Sequence, residues 1–444
     1  MLKQMTRGLG MDGVYAAIIE QIMGQGGDKG KLGMGVLMWV SQAERPLDPE
    51  ELRYALAIGE DPTGLDPDNM PTIKALLSYC LGLATMDEGG SRVRLIHLTL
   101  MEYLGRHLNL FGSSHSKMAD VCLTYLNSQT IQELPPNLWE HLGKIPFLNY
   151  ASCYWGVHAR KELTGCTGSL ALQLLDRYDH HVSAKIFQAN QRVWTYYDSR
   201  HAPSRFTGLH AIACFGIAEI ARSLIRLGGY DVNGKDSLGC TPLIWAARNN
   251  NQGVCEVLLG LGDADPNIAD SRGETPLFMA SADGHEDIVK LLLECKDVIA
   301  DSPNNGGQTP LSVAARNGYD GIVKLLRERR GVNPHLSGNA DQTLLSLPTE
   351  DRHEGAVEPR PERPSVNPEI QEAYIQTTIS PVPITSGYPH RQKIIPLPLP
   401  ENSLQPQLRV PEDISVDPEN IDRGSPQQSC RKASWKWLAK CCDK

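Results

Sequence analysis

A chain of 444 residues, 41% of them hydrophobic, is long enough for two or three domains with cores of their own. Its 43 basic and 52 acidic side chains leave a formal charge of −9, which excludes the basic field that draws in nucleic acid or an anionic membrane. Eleven cysteines, with no CxxC and no Cys/His set at zinc spacing, fit a reducing compartment. The start, MLKQMTRGLGMDGVYAAIIEQIMGQGG, lacks the apolar core and small-residue cleavage site of a secretory signal. No uncharged apolar run reaches the roughly 18 residues of a membrane span. A cytoplasmic chain without metal or other cofactor is expected.

GMDGVYAAIIEQI reads as a first helix. GQGGDKGKLG, at 24–33, has the glycines and lysine of a phosphate-cradling loop but not their order. Gln25 stands where a P-loop needs its first Gly and Leu32 where it needs Ser or Thr, so a loop between helices is expected. KLGMGVLMWVSQA, DPEELRYALAI and TIKALLSYCLGLATM are apolar-periodic, and Gly89-Gly90 would close a hairpin between Leu83–Met86 and Val93–Leu98. Helix, helix, helix, hairpin is the outline of a winged helix. Its candidate groove-reading helix, NMPTIKALLSYCLG, offers only Lys74 to a phosphate, so packing against a neighbouring domain is expected in place of DNA binding. No GxSxG turn is present, GSSHS at 112–116 reads as a polar connector, and Glu50-Glu51 lie at a helix start, where they complement its dipole. The expected divisions are residues 1–29 (helix and Gly-rich loop), 30–112 (winged-helix-like), 113–202 (helical connector), 203–336 (repeats) and 337–444 (tail).

The repeats announce themselves by phase. Thr207, Thr241, Thr275 and Thr309 lie 34 residues apart, in FTGLHAIA, CTPLIWAA, ETPLFMAS and QTPLSVAA. Turn residues come first in the later units: DSLG at 236, DSRG at 270 and NNGG at 304. Thr then caps a first helix that Pro opens without losing a hydrogen bond. Ala246 and Ala247 keep that helix slim, while Ile288, Val289, Leu291, Leu292 and Leu293 give the second helix an apolar face too wide for isolation. Each unit must stack on another. Lys324, Arg327, Glu328, Arg329 and Arg330 make a polar outer face, so the array is expected to stop near Leu336. Beyond Gly338 lie 15 of the 30 prolines without apolar periodicity, the composition of a disordered tail.

With the pattern DxxGxTPLxxAAxxGxxxIVxLLL, residues 203–336 resemble ankyrin repeats over about thirty per cent of the chain. Gly208 replaces the usual Pro in the first unit, and the family's His after Leu survives only as His210, with Ile244, Phe278 and Ser312 elsewhere. The resemblance implies a non-enzymatic module that binds another protein through its turn tips and the groove side of its first helices. Mapped onto this chain, those positions are Leu238, Cys240, Trp245 and Arg248 in the second unit, Arg272, Glu274, Met279 and Asp283 in the third, and Gln308, Val313 and Arg316 in the fourth. Trp and Arg are the commonest interface hot spots, which puts Trp245 first, against the alternative that it is buried between the first and second units.

Upstream, the phrases VLMWVSQAERPLDPEELRYALAI, RLIHLTLMEYL and FLNYASCYWGVHAR resemble the segment that follows the nucleotide-binding domain in fungal NACHT-type signalling NTPases with ankyrin arrays. That segment is also labelled after the GPI inositol-deacylase in which it was noted, a label that implies no lipase chemistry here. The whole then reads as mainly α: a winged-helix and helical regulatory platform that transmits or restrains a signal, an ankyrin α-solenoid and a disordered tail. The alternative is the C-terminal sensor part of a truncated or mis-started NACHT-type NTPase, favoured by GMDGVYAAIIEQI standing beside the winged-helix segment as a lid-side helix. Another is a membrane adaptor acylated at Cys441 or Cys442 within RKASWKWLAKCCDK. Cys442, Asp443 and Lys444 do not complete a prenylation signal, so an unanchored end is expected.

Overall fold

The computed structural model describes residues 10–58, 70–134, 145–190, 205–261, 263–329 and 332. Among them are 18 α-helices and one two-stranded antiparallel sheet, in two compact units that divide between Asp265 and Pro266. The expected tail, with Cys441 and Cys442, and the end of the array near Leu336 lie outside the described residues.

The first unit opens with α1 (Met11–Met23), α2 (Lys29–Gln42), α3 (Pro49–Ala57) and α4 (Ile73–Tyr79), then the hairpin β1 (Ala84–Met86) and β2 (Val93–Leu95), and α5 (Leu98–Arg106). Local chemistry sets the starts. Asp48 accepts from the Glu51 amide at 2.8 Å while the Glu51 carboxylate accepts from the Asp48 amide at 3.1 Å, a reciprocal cap with Pro49 at the first helical position. The same carboxylate, nearly buried, takes two 2.6 Å bonds from Arg45. Thr72 caps α4. The sheet pairs Ala84 with Leu95 and Met86 with Val93. Its turn is held by Asp87, which accepts from Ser91 and Arg92 amides at 2.8 and 3.1 Å, with Gly90 at φ 65°. The second strand stops three residues short of the expected Leu98, because the His97 ring accepts from the Thr99 amide at 3.2 Å and starts α5 there.

GQGGDKGKLG is a loop only as far as Asp28. Its glycines serve packing: a Cβ at Gly30 would lie 2.8 Å from the Ile22 carbonyl, and one at Gly33 2.8 Å from the Tyr79 carbonyl and 2.9 Å from the Ile22 side chain. Small residues let α1 and α4 close on α2. Helix α1 is also tied to α5, by Tyr15 Oη to Thr99 Oγ1 at 2.8 Å and Arg106 to Asp12 at 2.9 Å.

The connector contains α6 (Ser114–Asn127), α7 (Gln129–Gln132), α8 (Leu148–Lys161), α9 (Gly165–Leu175) and α10 (Val182–Asn190). GSSHS, expected as a connector, supplies the first turn of α6, where buried Ser116 Oγ meets Thr164 and Thr167 hydroxyls at 3.2 Å. Trp39 of α2 is buried against Phe147 and Tyr150, ring centroids 5.6 and 5.8 Å away. Tyr150 Oη bonds His158 Nε2 at 2.8 Å, and His158 Nδ1 meets His115 Nδ1 at 2.9 Å. Burial pushes the His158 imidazole down to about 3, aided by His115 and Lys161. His181 accepts from the Ser183 amide at 3.1 Å and donates to the Leu126 carbonyl at 3.1 Å; burial brings it to about 4.

Helix pairs follow at the 34-residue period: α11 (Gly208–Phe215) with α12 (Ala218–Leu227), and α13 (Pro242–Arg248) with α14 (Gln252–Leu261). The second unit holds α15 (Pro276–Asp283) with α16 (Glu286–Glu294), and α17 (Pro310–Asn317) with α18 (Asp320–Glu328). Thr241, Thr275 and Thr309 each cap a first helix through a side-chain bond to the amide three residues on, at 3.2–3.3 Å. In the first repeat His210 completes the cap: its Nδ1 accepts from the Thr207 amide at 3.2 Å. Its Nε2 then donates to the Gly234 and Cys240 carbonyls at 3.1 and 3.2 Å, and burial lowers its pKa to about 4. First helices end on a left-handed residue in every repeat, Gly216, Asn250, Gly284 and Gly318; at φ 55° Asn250 is the tolerable exception.

His158, His181 and His210 are all neutral in the fold, whereas in the unfolded chain each binds a proton near pH 6.5. Their contribution is complete above pH 6.5 and is lost as pH falls toward 4, at up to about 1.4 kcal/mol per histidine per pH unit. Calorimetry from pH 7.5 to 4.5 should therefore show the first unit melting progressively earlier; a flat profile would contradict these protonation states. In the second unit, a Cβ at Gly284 (φ 78°) would lie 2.7 Å from the Tyr319 ring. Gly284→Ala should destabilise by about 1–2 kcal/mol in chemical denaturation, and an unchanged midpoint would refute the assignment.

Candidate protein-binding surface

Each turn tip is built around one short acceptor side chain. In the first unit Asp236 Oδ1 accepts from the Leu238 and Cys240 amides, both at 2.9 Å, and its backbone amide donates to the Cys240 carbonyl at 3.0 Å. Gly239, at φ 78°, makes the turn. In the second unit Asp270 does the same for Arg272 and Glu274, both at 2.8 Å, and Asn304 for Gly306 and Gln308 at 3.0 and 2.9 Å. Only an acceptor oxygen two bonds beyond Cβ is needed, which is why Asn replaces Asp there.

Neighbouring tips within a unit are bonded to each other. Asn305 donates from its backbone to the Arg272 carbonyl at 2.8 Å and from its side chain to the Ser271 carbonyl at 3.1 Å. Beneath them Asn267 clamps the next loop, accepting from the Ile299 amide and donating to the Asp297 carbonyl, both at 2.8 Å. In the first unit Asn233 accepts from the Asp265 amide at 2.9 Å. Asn233 and Asn267 stand 34 residues apart, a second phase that the sequence itself carries.

The structure sorts the eleven candidate positions into two sets. Leu238, Cys240 and Trp245 of the second repeat are buried, as are Glu274 and Met279 of the third and Val313 of the fourth. For Trp245 the buried alternative holds: it is 1% exposed, its indole Nε1 donates to Asp236 Oδ2 at 2.8 Å, and its ring stands edge-on to Phe206, 6.0 Å away. It cannot anchor a partner without leaving this pocket. Trp245, Met279 and Val313 share one phase of the 34-residue repeat. The slim, Ala-rich first helices bring neighbours so close that this position is enclosed, as the Phe278–Ala282–Val313 cluster illustrates in the second unit. Arg248 and Gln308 are half-buried, and Arg272, Asp283 and Arg316 are exposed. Among the described residues no three His, Cys, Asp or Glu side chains converge as metal ligands would, and no helix is long and apolar enough to cross a membrane.

Comparison with known proteins agrees with this geometry. Residues 188–270 and 261–337 match the family model for ankyrin repeats, and residues 20–119 match that of the winged helix domain of GPI inositol-deacylase. A stretch of 62 residues is 45% identical to protein phosphatase 1 regulatory subunit 12A of Mus musculus, and the same holds for that of Rattus norvegicus. It covers 14% of this chain and 6% of either relative, so the chain spans a small fraction of the proteins it matches. The chain thus carries ankyrin repeats behind a winged-helix domain of the inositol-deacylase type, in a mainly helical fold.

If Trp245 is structural, Trp245→Phe should keep its ring packing but strip Asp236 of a donor, costing on the order of 1–3 kcal/mol, and Trp245→Ala about 3–5 kcal/mol. Thermal denaturation checks both. A Trp245→Ala protein that melts with the native one would return Trp245 to the exposed set.

Proposed function

We propose that this is a non-enzymatic protein-binding protein, whose ankyrin turn tips and first-helix residues contact another protein while the winged-helix and helical half serves as a regulatory platform. The observation that carries the reading is the separation of roles along the repeats. One set of residues is buried and bonded into the scaffold, while Arg272, Asp283 and Arg316 present charged side chains on the second compact unit and Arg248 a partly open one on the first. Arginines on turns and helices need no backbone ordering on binding, and their planar guanidinium makes directed hydrogen bonds, which suits them to recognition. The ankyrin match supports a protein partner, and the similarity to a subunit named as a phosphatase regulator supports an adaptor in place of a catalyst. Nucleic acid is not proposed: α4 offers Lys74 alone from its helix, and Gly33 brings it against α2.

A second reading, the sensor part of a NACHT-type signalling NTPase, rests on the resemblance of the winged-helix phrases and on α1, whose ties to α5 make it integral to that domain.

Charge reversal tests the surface. The full chain carrying Arg272→Glu and Arg316→Glu should lose a protein that the native chain retains in paired affinity captures, with its melting temperature within about 2 °C of native. An identical set of captured proteins would remove these residues from the interface. Nucleotide hydrolysis by the purified chain above that of a mock preparation would overturn the non-enzymatic reading.

A further inference from the structure

Helix α8 has two working faces. Toward the winged helix it presents Tyr150, Tyr154 and His158. Tyr150 meets Trp39, lies under the Arg45 guanidinium at 5.2 Å, and accepts from the Glu44 amide at 3.1 Å, while Lys161 pairs with the Glu44 carboxylate. Toward the first repeat it presents Trp155, Gly156 and Arg160. The Phe215 ring sits so close to Gly156 that a Cβ there would lie 2.3 Å from it, and Trp155 packs on the same ring at 4.9 Å between centroids. Arg160 Nη1 donates to Asn251 Oδ1 at 2.8 Å, and Asn251 Nδ2 donates to the Ala213 and Cys214 carbonyls at 2.7 and 3.0 Å. One arginine therefore fastens the platform to an asparagine that already binds the first repeat to the second. Rings continue the contact from Phe215 to Phe187 at 4.6 Å, on to Phe206 at 6.1 Å, and to Trp245 at 6.0 Å.

We infer that α8 is a rigid shaft joining the winged-helix half and the first two repeats into one cooperative folding unit, with the Gly156–Phe215 notch and the Arg160–Asn251 bond as its joint. Interfaces that are dry, aromatic and hydrogen-bonded are crossed by cooperative unfolding, whereas domains on loose linkers open separately. A partner that holds the repeats in their folded form then also stabilises the winged-helix half by mass action, without touching it. This regulatory consequence rests on the proposed binding function; the joint itself does not.

The test uses the full chain and no partner. Leu258, fully buried in α14, lies seven residues beyond Asn251 and is not itself one of the joint's residues. In native-state hydrogen exchange, Leu258→Ala should lower protection in α13 and α14, and also in α6 and α2, by at least about tenfold. With the joint cut by Arg160→Ala and Gly156→Ala, the same substitution should still loosen α13 and α14 but change α6 and α2 by less than about twofold, as a double-mutant cycle reads coupling. If the doubly cut chain does not fold, Arg160→Ala alone serves as the cut background, with a smaller but still reduced effect at α6 and α2. Native protection at α6 and α2 in Leu258→Ala with the joint intact would overturn the inference, as would an equal loss in both backgrounds. Because no partner enters, a negative result here leaves the binding reading intact, and a failed charge reversal leaves the joint intact.

Discussion

A repeat of this kind cannot bury its own apolar face, and the first repeat has no repeat before it. The connector answers that constraint. Phe206, Leu209, Ile212 and Phe215 would face water if the array began at residue 203; instead they are buried, with Tyr178, Phe187 and Trp155 of the connector packed against the two phenylalanines. Helix α9 comes close enough that a Cβ on Gly208 would lie 2.7 Å from the Leu175 carbonyl, which explains why the first repeat has Gly where its successors have Pro. Tyr230, in the loop after the first repeat, donates to that same carbonyl at 3.0 Å. The connector is thus the N-terminal cap of the solenoid, built from helices that carry no repeat signature of their own.

That cap is the part of the molecule least visible in the sequence. The repeats were legible because their chemistry recurs: a threonine to cap, a proline to start, a glycine at positive φ to turn, each at the same spacing. The winged helix was legible from three apolar periodicities and a hairpin. The cap has neither device. Its order comes from one-off pairings, such as Ser116 with Thr164 and Thr167, or Arg160 with Asn251, and a pairing between residues 91 positions apart leaves no local pattern to read. GSSHS reads as a connector because its serines are polar, but the Ser116 hydroxyl meets Thr164 and Thr167 at the start of another helix.

The candidate site was legible in its positions and not in its burial. The periodic pattern names which residues lie on tips and first helices, but whether such a residue faces outward depends on how closely the next repeat approaches. Small Ala side chains make that approach tight, so Trp245, Met279 and Val313 were enclosed by neighbours that the pattern treats as separate copies. Leu238 and Arg272 occupy one phase, yet Leu238 is buried and Arg272 is exposed. Burial and exposure thereby fall to different residues on the same elements, and substitutions in one set need not disturb the other.

The turn tips have a genealogical consequence. Asp270 and Asn304 perform the same task with different side chains, and each tip asks little more of its successor than backbone groups to bond. Junctions with such permissive requirements are where unequal recombination can insert or delete a whole unit and leave a foldable chain. The first repeat has no such freedom: Phe215 must fill the notch at Gly156, and Gly208 must admit α9. Descendants of this gene should therefore differ in the number of later repeats while inheriting the connector and the first repeat as a single block.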